Sequence, residues 1–368
     1  MRFNETPSST YELTIDDLLK QTVDNKGSDL HLAVGMAPCI RINGDLTPVD
    51  NAPVLKQQDV EFMILSIIKD YQKEKLDQDL ELDFSYAISG CARFRGNVMF
   101  QRGTLAAVFR AVPFMVPEFD KLGLPDDVKR LCDLPRGLVL VTGPTGSGKS
   151  TTLAAMIDLV NNTRASNIVT VEDPIEFLHK HKKSSVRQRE IGTDTLSFAS
   201  ALRHVLRHDP DIIMIGEMRD QESIGTALTA AETGHLVFST LHTQTAPLTI
   251  SRIIDSFSDE KRLQIRQQLA NSLKAVISQQ LIPTSDGKGR LAAIEYMVDT
   301  PAIRSMIREG KEHQLYSAIQ TGQKECMQTM DQALIKLYNA SKITRSSVLE
   351  FCVDRIESER LMQNSFFR

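Results

Sequence analysis

Leu138-Val139-Leu140-Val141-Thr142-Gly143-Pro144-Thr145-Gly146-Ser147-Gly148-Lys149-Ser150-Thr151 is the stretch from which the fold of this chain can be read. Its apolar opening, Leu138–Val141, reads as a buried strand, and the residues from Lys149 onward read as a helix. Between them Gly143, Pro144, Thr145, Gly146, Ser147 and Gly148 complete the pattern G-x-x-x-x-G-K-[ST] with Lys149 and Ser150. Glycines let successive backbone N–H groups turn inward, and the helix start adds partial positive charge, so the loop is built to hold phosphate. Lys149 is expected to reach the β- and γ-phosphates of ATP, Ser150 to coordinate Mg²⁺, and Thr151 to continue the binding turn.

Working outward, short apolar runs alternate with helical stretches from Arg136 on. The runs are Leu138–Val141, Ile168–Val171, Ile212–Ile215, Leu236–Phe238 and Leu291–Ile294. Helices are expected from Lys149, from about Ser197, over Gln221–Thr233 with Gly234 as its cap, and from Asp259 to about Gln280. This is an α/β pattern: a parallel sheet with helices on its faces. Residues from Pro301 read as several short helices. In one of these, Ala302–Glu309, Ile303, Met306 and Ile307 share a face and Arg304 and Arg308 share another.

Ligands of open α/β sheets lie beyond the carboxyl ends of the strands. Glu172, Glu217 and His242 each follow such an end, and His235 precedes the strand that leads to His242. ATP hydrolysis needs a group that orients water and an acidic contact near the metal. Glu172 is assigned the first task and Glu217 the second, the latter directly or through water. Gly216 stands where an aspartate metal ligand is common. His242 is placed to sense the γ-phosphate. The competing reading is that these are strand-end carboxylates capping nearby helices. His204 and His208 have metal-ligand spacing, but Val205 stands where H-E-x-x-H requires a glutamate, so no metal is expected there.

The first segment, to about Pro113, reads as a smaller α+β unit. A helix is expected over Tyr11–Val23, a strand at Ser28–Leu32, a hairpin turn at Asn43-Gly44, and a helix at Asp59–Lys69. Arg93–Phe100 and Leu105–Val112 form a second hairpin around Arg102-Gly103. Arg93, Arg95 and Asn97 share one face of the first strand, Phe94, Val98 and Phe100 share the other, and Arg110 lies on the paired strand. Two readings stand: a charged, solvated strand face, or arginine fingers reaching an ATP held by a neighbouring subunit. A proline-marked linker, 114–135, joins this unit, 1–113, to the nucleotide-binding domain, 136–368.

The chain has 368 residues, 41% hydrophobic and 24% charged, enough for two cores. The formal charge of −4 weighs against a nucleic-acid motor, so no nucleic-acid partner is expected. No apolar run approaches the ~18 residues of a membrane span, and the opening residues lack a secretory pattern. The five cysteines form no C-x-x-C pair, and reduced thiols in the cytosol are expected.

Together, Gly143–Ser150, Val171–Glu176, Asp209–Asp220 and Ala231–Thr243 resemble the Walker A, Asp-box, Walker B and His-box motifs of the secretion and type IV pilus ATPases. Gly27–Leu32 and Ala92–Asn97 resemble that family's N-terminal PAS-like domain, and Thr300–Glu309 is similar to a signature of its retraction branch. The resemblance implies a RecA-like P-loop domain and a homohexameric ring with ATP held between subunits. It also implies Arg95, Arg110 and Arg93 as contacts to a neighbour's nucleotide and His235 as part of the binding set. A cytoplasmic location against the inner face of the membrane follows from it. So do an inner-membrane platform protein, and in some systems other pilus ATPases, as partners. Pilus retraction and twitching motility are the implied output. The alternatives are an accessory retraction relative, a type II secretion or DNA-transfer ATPase of the same superfamily, and a nucleotide-binding scaffold.

Overall fold

Two periodicities of the sequence, alternation by two and recurrence by about 3.6, partition the chain into two bodies in the computed structural model. The structure describes residues 13–112 and 116–365. One body comprises the chain up to Met115 together with Glu176–Leu178; the other comprises Val116–Ile175 and everything from His179.

The first body is a six-stranded antiparallel sheet in the order β3-β2-β1-β6-β5-β4. Its strands are β1 (Asp29–Ala33), β2 (Cys39–Ile42), β3 (Asp45–Pro48), β4 (Glu81–Ile88), β5 (Ala92–Gln101) and β6 (Thr104–Val112). Both expected hairpin turns form: Asn43 and Gly44, and Arg102 and Gly103, take positive φ at their central positions, the backbone that a two-residue turn needs to match strand twist. Leu30, Leu32, Phe94, Val98, Phe109 and Leu105 are buried against α1 (Ile15–Asp24) and α2 (Gln57–Leu65) in one core.

Helix α1 begins later than expected. Thr14 caps it, its hydroxyl accepting from Asp17 N at 3.2 Å while Asp17 Oδ2 accepts from Thr14 N at 3.0 Å. Tyr11 lies outside the described residues. The helix expected over Asp59–Lys69 stops at Leu65, and a separate α3 (Asp70–Asp79) follows. Lys69 is extended, and Gln72 Oε1 accepts from its N–H at 2.9 Å, which starts the new helix.

The second body holds a seven-stranded sheet in the order β13-β12-β7-β11-β10-β8-β9. The strands are β7 (Gly137–Thr142), β8 (Asn167–Glu172), β9 (Ser185–Glu190), β10 (Ile212–Ile215), β11 (Leu236–Leu241), β12 (Leu273–Pro283) and β13 (Arg290–Val298). All neighbours pair in parallel except β12 and β13. Alternate residues of β7 serve opposite cores: Leu138 and Leu140 join one, Val139 and Val141 the other. The first face is covered by α6 (Phe198–Val205), α7 (Gln221–Glu232), α8 (Ala246–Asp255) and α9 (Asp259–Ser272). The second is covered by α4 (Asp127–Leu131) and α5 (Lys149–Thr163). The proline-marked stretch is therefore not a bare connector, since Phe119, Val128 and Leu131 are buried in that second core.

Three expectations are corrected here. The helix predicted to reach Gln280 ends at Ser272, and Leu273–Pro283 is strand β12, paired with β7 on one side and β13 on the other. No glycine or proline marks the junction, so the periodicity of α9 ran on. What decides for a strand is the sheet edge that Val276 and Ile277, both fully buried, complete. Strand β9 is not among the runs expected to be strands. His204 and His208 do not share a helix, because α6 closes at Val205.

Five further helices follow β13: α10 (Pro301–Glu309), α11 (Leu315–Thr321), α12 (Met330–Asn339), α13 (Arg345–Phe351) and α14 (Arg355–Ser365). In α10, Ile303 and Ile307 are buried while Arg304 lies 3.5 Å from Asp299.

Candidate nucleotide site

Strand β7 runs between β12 and β11 with every residue buried, so its carboxyl end is held from both sides. Thr142 Oγ1 and Ser278 Oγ, 2.9 Å apart, tie that end to β12. The chain then turns through the glycine loop into α5, whose N-cap is Gly148. Gly143 has φ +142 and Gly148 φ +91. A Cβ at the first would collide with the backbone carbonyl of Gln279, and at the second would come 2.7 Å from Gln279 Nε2. The loop needs glycine at both places for backbone angle and for space.

Lys149 is buried, and its Nζ donates to the carbonyl oxygens of Gly143 and Pro144, each at 2.9 Å. Burial pulls its ammonium below the ordinary lysine range, and the Glu217 carboxylate pulls the other way. Ser150 is exposed and Thr151 half-buried on the first turn of α5, while Pro144, Thr145 and Gly146 are exposed at the loop tip. Ser147 is buried with its Oγ lacking a hydrogen-bond partner.

Register brings the other strand ends to the same edge. Leu241 lies opposite Thr142, and Ile215 lies opposite both Ser239 and Val171. His242 follows β11 directly beside the loop: its Nδ1 is 3.4 Å from Lys149 Nζ, and its Nε2 is 3.3 Å from Glu217 Oε1. Arg219 Nε donates to Glu217 Oε2 at 2.8 Å. Lys149, His242, Glu217 and Arg219 thus form one polar chain. Gly216 has a packing reason, since a Cβ there would lie 3.3 Å from Glu172 Cα and Val171 O.

Glu172 sits one strand further out, at the end of β8. It is buried, and its Oε1 accepts from Thr170 Oγ1 at 2.6 Å and from Gln188 Nε2 on β9 at 3.0 Å. The two glutamates therefore occupy different surroundings, Glu217 in contact with the lysine–histidine chain and Glu172 fixed by strand neighbours.

His235 does not join this group within the chain. It precedes β11, where Leu236 pairs with Gly137, the far end of β7 from the loop. Strand rise puts it roughly 17 Å from the loop end, and its Nδ1 lies 3.0 Å from Ala230 O at the end of α7. The three arginines belong to the first body. Arg95 and Arg110 are direct cross-strand partners, a like-charge pairing that needs compensation. Glu176 Oε1 lies 3.2 Å from Arg95 Nη1, and Asp29 Oδ1 accepts from Arg110 Nε at 2.8 Å. Burial pushes the Asp29 carboxyl up, but the Ser28 hydroxyl and the Arg110 guanidinium outweigh it and hold it below the usual range. Arg93 is half-buried on the same strand. Gln279, Arg219 and Gln188 line the site without having been assigned a role from sequence. The first was hidden by reading β12 as helix.

Comparison with known proteins agrees with this architecture. The family described as Type II/IV secretion system protein matches residues 5–359. A Pseudomonas aeruginosa protein named type IV pilus retractation ATPase PilT is 51% identical over 338 residues, 92% of this chain and 98% of that protein. The same organism's type IV pilus ATPase PilU is 39% identical over 350 residues, 95% of this chain and 91% of that protein. The crystal structure of the pilus retraction motor PilT with bound ADP aligns with a TM-score of 0.88 at 48% identity, covering 95% of this chain and 100% of that one. The expected fold class holds, an N-terminal α+β domain followed by a RecA-like domain. The resemblance to the retraction branch holds too, and is stronger than that to the accessory relative. This chain belongs to the family of Type II/IV secretion system proteins and is one of its P-loop ATPases.

Proposed function

We propose that the chain is a pilus retraction motor, which works as a homohexameric ring and draws on ATP hydrolysis to depolymerise a type IV pilus. The observation that carries this reading is the 51% identity to PilT across 98% of that protein's length. Its partners are other copies of itself, an inner-membrane platform protein at the pilus base and, in some systems, other pilus ATPases. It works at the cytoplasmic face of the membrane; among the described residues no helix is long and apolar enough to cross one.

The residues divide the work as follows. The amides of Gly143–Thr151 and the ammonium of Lys149 bind the phosphates; on binding, Lys149 exchanges its two loop carbonyls for phosphate oxygens. The exposed Ser150 hydroxyl and Glu217, through water, suit Mg²⁺, a hard cation that takes few protein ligands beside phosphate. Mg²⁺ supplies neutralisation of the charge that builds on the phosphoryl oxygens. Glu172, fixed by Thr170 and Gln188, orients the attacking water. His242, joined to both Lys149 and Glu217, senses the γ-phosphate. Arg95 and Arg110, with Arg93, act on a neighbouring subunit's nucleotide.

The test is a strain lacking this chain, scored for surface pili and for surface motility. Retraction predicts excess pili with movement lost, both restored by the intact gene and by neither Lys149→Ala nor Glu217→Ala. A strain with normal movement and normal pilus number would overturn the reading.

A further inference from the structure

Strand β12 carries a side chain that the phosphate loop leans on. Gln279 is 3% exposed, a depth at which an amide is expected to have all its hydrogen-bonding groups matched. One end is matched, since Oε1 accepts from the hydroxyl of Thr152, in the first turn of α5, at 2.8 Å. That bond fixes the orientation of the amide, because only the oxygen can accept. Its Nε2 is thereby turned toward Gly148, the N-cap of α5, where a Cβ would lie 2.7 Å away. Among the described residues no acceptor meets that Nε2. That donor stands at the N-terminus of a helix, where the backbone already favours an anion.

We propose that Gln279 is a nucleotide-contacting residue, its Nε2–H₂ donating to a phosphate oxygen held at the α5 N-terminus while its Oε1 anchors α5 through Thr152. This deepens the ATPase site described above and rests on nucleotide binding there. The ligand chemistry is a di- or triphosphate, and the contact is to phosphate in preference to sugar or base, because a doubly donating amide beside a helix start matches an anionic oxygen. The anchor also explains why the side chain is a glutamine: one group must accept from a threonine and donate to an anion without carrying charge of its own.

The experiment titrates the full chain with MgADP and, separately, with magnesium pyrophosphate by calorimetry. The proteins are wild type, Gln279→Met, Gln279→Glu and Thr152→Val. Gln279→Met loses the donor and should bind roughly tenfold to a hundredfold more weakly. Gln279→Glu keeps the acceptor for Thr152 but sets a carboxylate against phosphate, so it should bind more weakly still, with both probes. Thermal stability without ligand should follow the other order, Gln279→Glu closer to wild type than Gln279→Met. Thr152→Val, which loses the anchor and keeps the amide, should cost less affinity than Gln279→Met. Wild-type affinity in Gln279→Glu, a rank with Gln279→Glu above Gln279→Met, or equal losses in Thr152→Val and Gln279→Met would each overturn the contact. An effect seen with MgADP and absent with pyrophosphate would overturn its assignment to phosphate. Wild type failing to bind either probe would instead remove the nucleotide site itself.

Discussion

His242 holds Glu217 at 3.3 Å through Nε2, and through Nδ1 stands 3.4 Å from the Nζ of Lys149. One imidazole therefore spans the ends of β7 and β10, two strands that are not neighbours in the sheet. One side chain thus links Lys149 to Glu217. Replacing His242 by alanine should lower ATP turnover about a hundredfold or more, while MgADP affinity changes by less than about tenfold. Rates from phosphate release and affinities from titration check this. A parallel loss of both would place His242 in binding alone.

Lys149→Ala should abolish hydrolysis, by at least about 10²–10³ in rate, with the fold intact. Nζ meets only polar partners, the loop carbonyls of Gly143 and Pro144 and the His242 ring, so its loss removes no apolar packing made by that atom. Phosphate release and a melting curve within a few degrees of wild type are the measurements. Turnover near wild type in the assembled variant would sink the assignment.

Glu217→Ala and Glu172→Ala should each cut hydrolysis strongly while nucleotide still binds. Glu217 contacts the chain that reaches Lys149, so Glu217→Ala should shift the Mg²⁺ concentration for half-maximal rate, and Glu172→Ala should leave it in place. Superimposable Mg²⁺ curves would remove this division of labour.

Arg95 and Arg110, set side by side by strand register, should act on a neighbour's ATP. An arginine finger is worth about 10³–10⁵ in rate. Mixing Arg95→Ala/Arg110→Ala chains with Lys149→Ala chains should restore activity that neither has alone, because some interfaces then pair intact arginines with an intact loop. No recovery in rings shown to be mixed would argue against action in trans.

Glu295 offers a test of stability against pH. It lies fully buried on β13, accepting from the N–H groups that open α8 and α12, Ala246 N at 2.6 Å and Met330 N at 3.3 Å. Burial pushes its carboxyl up to about 7; the two N–H donors favour the charged form but do not offset that, and Asp331 adds to the rise. A raised carboxyl pKa means that the folded state holds a proton the unfolded chain has released. The stability it contributes is present below the unfolded value near 4.5 and is lost as pH climbs through about 7. The loss is on the order of 1–3 kcal/mol. Relative to the native chain, Glu295→Gln should therefore gain melting temperature as pH rises from 5 to 8, making its slope against pH less negative or more positive. An unchanged slope in the variant would refute it.

The strand–loop–helix at Leu138–Thr151 was legible from residue type alone, because only glycine tolerates the backbone that wraps a phosphate and because an apolar run must be buried. The hairpin turns at Asn43-Gly44 and Arg102-Gly103 were legible for the same local reason. The sequence also determined which strand ends carry Glu172, Glu217 and His242, since a parallel α/β sheet collects its ligands at one edge. Order within the sheet is a matter of long-range pairing, and only the tertiary structure decided it. It placed β11 and β10 between β7 and β8, which put Glu217 in reach of His242 and left Glu172 to Thr170 and Gln188. It set His235 at the far end of β11 from the loop. It also turned Leu273–Pro283 from the expected helix into β12, because an open edge of β7 offered that segment backbone partners and two apolar faces to fill. Local propensity carries no information about that edge, and so none about Gln279 beneath the phosphate loop.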